Sequence, residues 1–125
     1  MKGIANALGD VSDFDAILPA FGGIDTVLHL SAYTEDVHEW VGTERVNIRG
    51  TYNVYKAARI HGAKRIIFAN SGGTMLGYEL ESPYTEIAAG EYDYILQVYP
   101  ILTHLDPVRP NSICYVSKVF GEVLV

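Results

Sequence analysis

Two short apolar runs decide the fold: IDTVLHL at residues 24–30 and RIIFA at residues 65–69. Both are rich in β-branched and apolar residues almost without alternation, which is typical of parallel strands buried on both faces. Between them the pattern is helical from about Val41 to His61, and Gly62 is the expected C-terminal cap. A strand, a helix and a second strand in this order predict a right-handed parallel unit and an α/β fold.

The predicted helix has one face of mostly small residues, which would allow close packing on a sheet. They are spaced at i, i+3, i+4, i+7 and i+11, and they are Asn47, Gly50, Thr51, Val54 and Ala58.

Weaker signals precede this unit. A weakly apolar run at residues 3–8 predicts a strand, and it ends at Gly9 and Asp10. Ser12 is a candidate N-cap for a short helix that ends near Phe21, before the Gly22-Gly23 break.

The signals that follow the second strand are a polar turn, a long connection and a last helix. NSGGT, residues 70–74, is the turn. Residues 77–111 show no sustained period except a candidate helix at 92–98, so they predict either a binding loop or a variable insertion. Asn111 or Ser112 then begins a helix that contains Lys118.

Composition excludes several functional classes. Nine Lys and Arg against 15 Asp and Glu give a formal net charge of -6, which disfavours nucleic acid as a partner. One cysteine cannot form an internal disulfide, and the four histidines show no metal-ligand spacing. No apolar run reaches the ~18 residues that span a bilayer, and the first ten residues do not resemble a signal peptide. We expect one metal-free cytoplasmic domain over residues 1–125.

Several short stretches, taken in order, resemble the extended branch of the short-chain dehydrogenase/reductase family, the NAD-dependent epimerase/dehydratase group. They are GDVSD at 9–13, HLSA at 29–32, VNIRGT at 46–51, FANSGGT at 68–74 with Gly77, and Pro107, Pro110, SK at 117–118 and GE at 121–122. The resemblance implies a partial Rossmann-type doubly wound parallel sheet. It also implies that the family's first two strands, with their glycine-rich pyrophosphate turn, and its C-terminal substrate region are missing.

The resemblance further implies NAD or NADP as cofactor. The positions that it assigns to cofactor binding are Asp10, Val11, Leu30, Ser31, Ala32, Asn47 and Lys118. From the residues alone, Asp10 is first a turn or cap residue, and Asn47 also has a structural role first.

The family's catalytic pair is Tyr-x-x-x-Lys, and this sequence departs from it. Four residues before Lys118 stands Cys114, and the nearby tyrosine is Tyr115, whose side chain points ~100° away around the helix. The catalytic hydroxyl is also ambiguous. Forward alignment favours Ser71, backward alignment from the later glycine places Gly72 there, and Thr74 is a third candidate.

Two functions therefore remain open. In the first, the chain is a truncated NAD(P)-dependent epimerase/dehydratase or sugar dehydrogenase acting on a sugar or nucleotide-sugar, with Ser71 orienting the substrate, Tyr115 as acid/base and Lys118 lowering its pKa. In the second, it is a non-catalytic fragment or interaction module that retains the scaffold. In either case the strand at residues 26–30 is expected to leave an edge exposed. We expect that edge to pair in a homo-oligomer, to pair with a polypeptide that supplies strands, or to be covered by the N-terminal segment.

Overall fold

The computed structural model describes residues 6–92 and 101–124. Its elements, in chain order, are α1 (Phe14–Ile17), a 3-10 helix (Leu18–Phe21), β1 (Thr26–His29), α2 (Trp40–Gly42), a π-helical stretch (Thr43–Gly50), α3 (Thr51–Ile60), β2 (Arg65–Phe68), a second 3-10 helix (Gly72–Leu80), α4 (Tyr84–Ala89) and α5 (Ile113–Val123).

The two strands form the predicted parallel unit. β1 and β2 pair in parallel with Thr26 opposite Arg65 and His29 opposite Phe68. The helical connection from Trp40 to Ile60 is continuous, because α2, the π-helical stretch and α3 follow one another without a break. The strand–helix–strand prediction is therefore confirmed.

The small-residue face of the long helix matches the prediction, whereas the C-cap is His61, one residue before the predicted Gly62. His61 caps the helix, and Gly62 follows it with a φ of +72°, a left-handed conformation that glycine adopts without steric cost. All five residues of the small face are buried. A Cβ on Gly50 would come within 2.7 Å of the Val11 side chain, so this glycine allows the N-terminal segment to pack on the helix.

Among residues 6–92 and 101–124, only one face of the sheet is covered, which corrects the expectation of strands buried on both faces. His29 is buried and Phe68 packs beneath Gly121 of α5, whereas Leu28 and Ile67 on the opposite face are 59% and 49% exposed. The apolar pattern indicated suitability for burial on both sides. Burial itself needs a covering layer, and α3 and α5 contact His29 and Phe68 on the other face.

The N-terminal segment differs from the prediction in two ways. Residues 6–8 are not in a strand, and the rest of the predicted strand at residues 3–8 lies outside the described residues. Asp13, and not Ser12, caps α1, with its carboxylate accepting a hydrogen bond of 3.1 Å from the amide of Ala16. Ser12 instead donates from its amide and its hydroxyl to Asp10, so it stabilises the turn before the helix.

The long connection is more regular than its sequence indicated. The 3-10 helix from Gly72 to Leu80 and the helix from Tyr84 to Ala89 were both missed. The candidate helix at 92–98 falls almost entirely on residues outside the described ones. α5 begins as predicted, because the Ser112 hydroxyl caps it by accepting from the amide of Tyr115.

Candidate active site at the carboxyl end of the sheet

Lys118 is buried where β2 ends. It lies on α5 with 7% of its surface exposed, and its Nζ donates a hydrogen bond of 2.8 Å to the carbonyl of Ala69. The ammonium is also 5.0 Å from the centre of the Phe68 ring. Desolvation lowers the pKa of Lys118 from its usual 10.5, and the nearby Cys114 opposes that shift. A solvated surface lysine would show none of this, so the structure gives Lys118 a fixed internal position.

Cys114, one helical turn before Lys118, is an internal contact. It is 3% exposed. Asn47 Nδ2 donates to its Sγ at 3.7 Å, and Sγ donates to the carbonyl of Tyr33 at 3.7 Å. The thiol thus points toward the long helix, where these weak hydrogen bonds hold it, as is usual for a buried free cysteine.

Tyr115 lies on the turn that follows β2. A Cβ on Gly73 would overlap the Tyr115 ring, so the ring packs directly on the glycine backbone. The ~100° rotation between adjacent helix positions therefore carries this side chain away from Cys114 and onto the turn. This contact was not predicted, although a glycine pair before a regular segment indicates that something approaches the backbone closely.

The three candidates for the catalytic hydroxyl differ clearly in the structure. Gly72 has no side chain to contribute. Thr74 is buried, and its hydroxyl donates to the carbonyl of Ser71 at 2.9 Å. Ser71 Oγ is half-buried and accepts from the amide of Gly73 at 3.1 Å, which leaves its own proton able to donate. The geometry favours Ser71 among the three.

Asn47 holds the backbone that follows β1. Its Oδ1 accepts from the amide of Tyr33 at 2.6 Å, and its Nδ2 donates to the Tyr33 carbonyl at 3.1 Å. The residue is buried within the π-helical stretch, a local irregularity that often accompanies functional sites. Asn47 therefore acts through the loop that it positions, in which Leu30 and Ser31 are exposed and Ala32 is half-buried.

Asp10 lies in the turn before α1 and contacts Arg45 of the long helix. Its carboxylate accepts from the amide and hydroxyl of Ser12 at 2.9 and 2.8 Å, and from Arg45 at 2.5 Å. These bonds, chiefly those from Ser12, lower the pKa of Asp10. The ion pair with Arg45 is half-exposed and was not predicted, since 35 residues separate the two in sequence.

A groove joins the N-terminal segment to the loop after β1. It has a volume of about 410 Å³, and Gly9, Val11 and Ser31 are among the residues that line it. Its walls are small and mostly apolar, and Asp10, which lies between the lining residues Gly9 and Val11 in sequence, does not itself line it. Of the predicted cofactor residues, Val11 and Ser31 line this groove, and Asp10, Leu30 and Ala32 are next to them in sequence. Asn47 is buried in the π-helical stretch, and Lys118 lies at the end of β2.

His29 belongs to the core. Its Nε2 lies 3.0 Å from the Thr51 hydroxyl, and its ring packs against Tyr55 and Phe68. Burial lowers the pKa of His29, and the Lys118 charge adds to this effect. Across residues 6–92 and 101–124, no group of three or more His, Cys, Asp or Glu side chains is arranged to hold a metal. Within the same ranges, no helix has the length and apolar character needed to cross a membrane.

Comparison with known proteins identifies the family. The model of the NAD dependent epimerase/dehydratase family matches residues 4–125. L-arabinose 1-dehydrogenase (NAD(P)(+)) of Haloferax volcanii is 36% identical over 124 residues, which are 98% of this chain and 46% of that protein. Uronate dehydrogenase of Agrobacterium fabrum is 35% identical over 116 residues, or 92% of this chain and 36% of that protein.

Solved structures agree with this result. The uronate dehydrogenase of Agrobacterium tumefaciens superposes with a TM-score of 0.67 at 30% identity, over 98% of this chain and 42% of that chain. Glucuronic acid dehydrogenase from Chromohalobacter salexigens gives a TM-score of 0.68 at 31% identity, over 99% of this chain and 41% of that chain. The chain thus spans less than half the length of the relatives that it matches. Its parallel strands and helices form a partial Rossmann-like fold, and the chain belongs to the NAD-dependent epimerase/dehydratase family.

Proposed function

We propose that this chain forms part of the cofactor-binding and catalytic region of an NAD(P)-dependent sugar oxidoreductase. The observation that supports this most directly is the Lys118 ammonium, buried and bonded to the Ala69 carbonyl beside the Ser71 turn. The names of the relatives, an L-arabinose 1-dehydrogenase and a uronate dehydrogenase, favour oxidation of a sugar hydroxyl. A sugar or nucleotide-sugar substrate and a cytoplasmic location are part of the proposal.

Lys118 has the properties that this role requires. Because its ammonium is held at one point and partly desolvated, it can donate to the ribose hydroxyls of a nicotinamide nucleotide and stabilise a nearby phenolate. When bound, the nicotinamide supplies the acceptor for a hydride from the substrate carbon. Asp10, Val11 and the loop from Leu30 to Ala32 would hold the adenosine end of the same molecule.

Ser71 and Tyr115 are the proposed partners of Lys118. Ser71 can donate its hydroxyl proton to a substrate oxygen and so orient it. We assign the acid/base role to Tyr115, because its ring lies on Gly73, two residues from Ser71, whereas Cys114 is buried against the long helix.

A chimera tests this assignment. Residues 4–125 would replace the matched segment of the Haloferax volcanii L-arabinose 1-dehydrogenase, and NADH or NADPH formation with L-arabinose would be followed by absorbance. We expect activity that Tyr115→Phe and Lys118→Met each lower at least about 100-fold, the lower end of what one proton-transfer group contributes. Tyr52→Phe, at an exposed tyrosine on the long helix, is the matched control. Full activity in Tyr115→Phe would exclude Tyr115 as the acid/base.

A scaffold without turnover is the second candidate, and the Cys114 position favours it. The residue one turn before Lys118 is a buried thiol in place of a phenol. If the chimera folds and binds NAD but is inactive, as shown by calorimetric titration with NAD and NADP, this second function replaces the first.

A further inference from the structure

Arg109 bonds through its backbone to the second 3-10 helix, Gly72–Leu80. Its amide donates to the carbonyl of Thr74 at 2.7 Å, and its carbonyl accepts from the amide of Gly77 at 2.6 Å. A Cβ on Gly77 would lie 2.5 Å from that carbonyl oxygen, so a larger residue there would push the two segments apart. The loop before α5 (residues 107–111) therefore lies directly against this helix.

This 3-10 helix depends on support from outside itself. It is nine residues long, whereas 3-10 helices rarely exceed about four residues, because the geometry of their hydrogen bonds is poor. Ser71 is its N-cap, and the Ser71 Oγ accepts from the amide of Gly73 at 3.1 Å. The position of the Ser71 hydroxyl therefore depends on the first turn of a helix that is weak on its own.

Thr74 connects Ser71 to Arg109. Its amide and its hydroxyl both donate to the carbonyl of Ser71, at 3.2 and 2.9 Å, and its own carbonyl accepts from the amide of Arg109. On the other side of the turn, the carbonyl of Ala69 accepts from the Lys118 ammonium. The Ser71 turn is thus held at two points, by α5 at Ala69 and by the loop before α5 at Thr74.

The Arg109 side chain extends the same contact along the helix. Its guanidinium lies 4.3 Å from the centre of the Tyr78 ring and pairs with Glu81 at 2.5 Å. The Tyr78 hydroxyl donates in turn to the carbonyl of Pro107 at 3.0 Å. The ion pair is half-exposed, and such pairs contribute little to the stability of a whole fold. Its effect is therefore expected to be local, in keeping the loop closed on the helix.

The same loop leads into α5. Arg109 is followed three residues later by Ser112, the N-cap of α5. The helix that begins there carries Tyr115 and Lys118. Closing the loop on the 3-10 helix therefore sets where these two side chains stand relative to the Ser71 turn.

We propose that Arg109 is a positioning residue: by clamping the loop before α5 onto the 3-10 helix, its side chain holds the Ser71 hydroxyl in place relative to the side chains that α5 carries. The proposal rests on the oxidoreductase function proposed for this chain, in which the Ser71 hydroxyl orients the substrate. Arg109 does not itself contact the substrate, because its charge is paired with Glu81 and its flat face covers Tyr78.

The chimera with L-arabinose 1-dehydrogenase provides the test. Rates of NADH or NADPH formation give kcat and KM for Arg109→Met, which keeps an unbranched side chain but removes the charge and the flat face. We expect kcat to fall at least about tenfold, because displacing an orienting group lowers the rate steeply, and KM for L-arabinose to change less than about twofold. Arg49→Met, which breaks a partly exposed ion pair with Glu44, is the matched control and should change neither constant.

Two further variants show whether the effect passes through the side-chain contacts of Arg109. A lysine ammonium can still pair with Glu81 and lie over the Tyr78 ring, so Arg109→Lys should keep kcat at least about threefold above that of Arg109→Met. Glu81→Gln should lower kcat less than Arg109→Met does. The double variant should be no slower than Arg109→Met alone, because both changes remove the same contact.

Hydrogen exchange, measured by NMR on the 125-residue chain, reports on the clamp without any reaction. In Arg109→Met the amide of Gly77, which donates to the carbonyl of residue 109, should exchange at least about tenfold faster, because the loop opens more often. The amides of Ala57 and Ala58, buried in α3, should exchange as before. This comparison separates local opening of the loop from a loss of global stability.

Each failure has its own result. An unchanged kcat in Arg109→Met, with the unmodified chimera active, would overturn the proposal and leave the oxidoreductase function standing. A rise in KM for L-arabinose without a fall in kcat would also overturn it, since Arg109 would then bind the substrate directly. Equal acceleration of exchange at Gly77 and Ala57 would reduce Arg109 to a general stabilising residue. An inactive unmodified chimera would overturn the proposed function itself, and the role of Arg109 with it.

Discussion

The ammonium of Lys118 donates a hydrogen bond of 2.8 Å to the carbonyl of Ala69, the first residue after β2, and so ties α5 to the end of the sheet. This contact connects the proposed site to the fold, because the buried charge cannot leave without exposing an unpaired carbonyl. In the chimera, Lys118→Met should therefore lower activity and also slightly weaken the docking of α5. Lys118→Arg should not restore activity, since the larger guanidinium does not fit a position that is 7% exposed.

The contact between Gly73 and Tyr115 predicts a pair of opposite results at adjacent glycines. Gly73→Ala should destabilise the chain by about 1–3 kcal/mol, because the new methyl overlaps the ring. Gly72→Ala should have little effect, since a Cβ there meets nothing within 4 Å. Urea denaturation followed by circular dichroism measures both. Combining Gly73→Ala with Tyr115→Ala should cost less than the sum of the single changes, and strict additivity would disprove the contact.

Asn47→Ala should lower the free energy of unfolding by about 2 kcal/mol, because it leaves the amide and carbonyl of Tyr33 without their partner. Asn70→Ala is the matched control, since that side chain is exposed and, within the part of the chain that the structure describes, its hydrogen bond is to Glu122. The same urea experiment compares the two. An equal loss in both variants would mean that the Asn47 bridge contributes nothing specific.

Stability should fall as the pH drops below about 6.5, in part because of His29. Burial lowers its pKa in the folded state, so the unfolded chain binds the proton more tightly. The stabilisation that neutral His29 contributes is therefore fully present above its unfolded-state pKa of 6.5. It is lost as the pH falls toward the lower pKa of His29 in the folded state. The measurement is urea denaturation at a series of pH values from 8 to 5. The free energy of unfolding should depend less on pH in His29→Phe than in the unchanged chain. In His61→Gln its pH dependence should stay the same, because His61 is exposed. A pH dependence that persists in His29→Phe would assign it to other groups.

Cys114→Tyr should not by itself create an active site. The thiol is 3% exposed and faces Asn47, so a phenol at this position has no space and should cost about 1–3 kcal/mol by overpacking. In the chimera we expect it to leave activity no higher than with Cys114 present. A large gain in sugar oxidation, with the thermal midpoint unchanged, would show that the phenol reaches the site after all.

The sequence by itself determined the parts of this protein that depend on local pattern. Two apolar runs with a helical period between them predicted the parallel unit. The five mostly small residues from Asn47 to Ala58 predicted the buried helix face, and Asn111 or Ser112 predicted the start of α5. The resemblance carried by short ordered motifs was confirmed by the family model over residues 4–125. Each of these features depends on residues that are close together in the sequence. Contacts between distant residues therefore needed only to be compatible with them.

The tertiary structure alone decided what depends on distant partners. The open face of β1 and β2 arises because burial requires a covering layer, and the apolar character of Leu28 and Ile67 cannot supply one. Arg45 reaches Asp10 across 35 residues. The sequence favoured Ser71 but kept Thr74 as a candidate, and the fold adds the physical difference between them: the Ser71 proton can still donate, whereas the Thr74 proton is already donated to a carbonyl. A side chain's chemistry is set in the sequence, whereas its availability depends on which neighbours the fold brings to it.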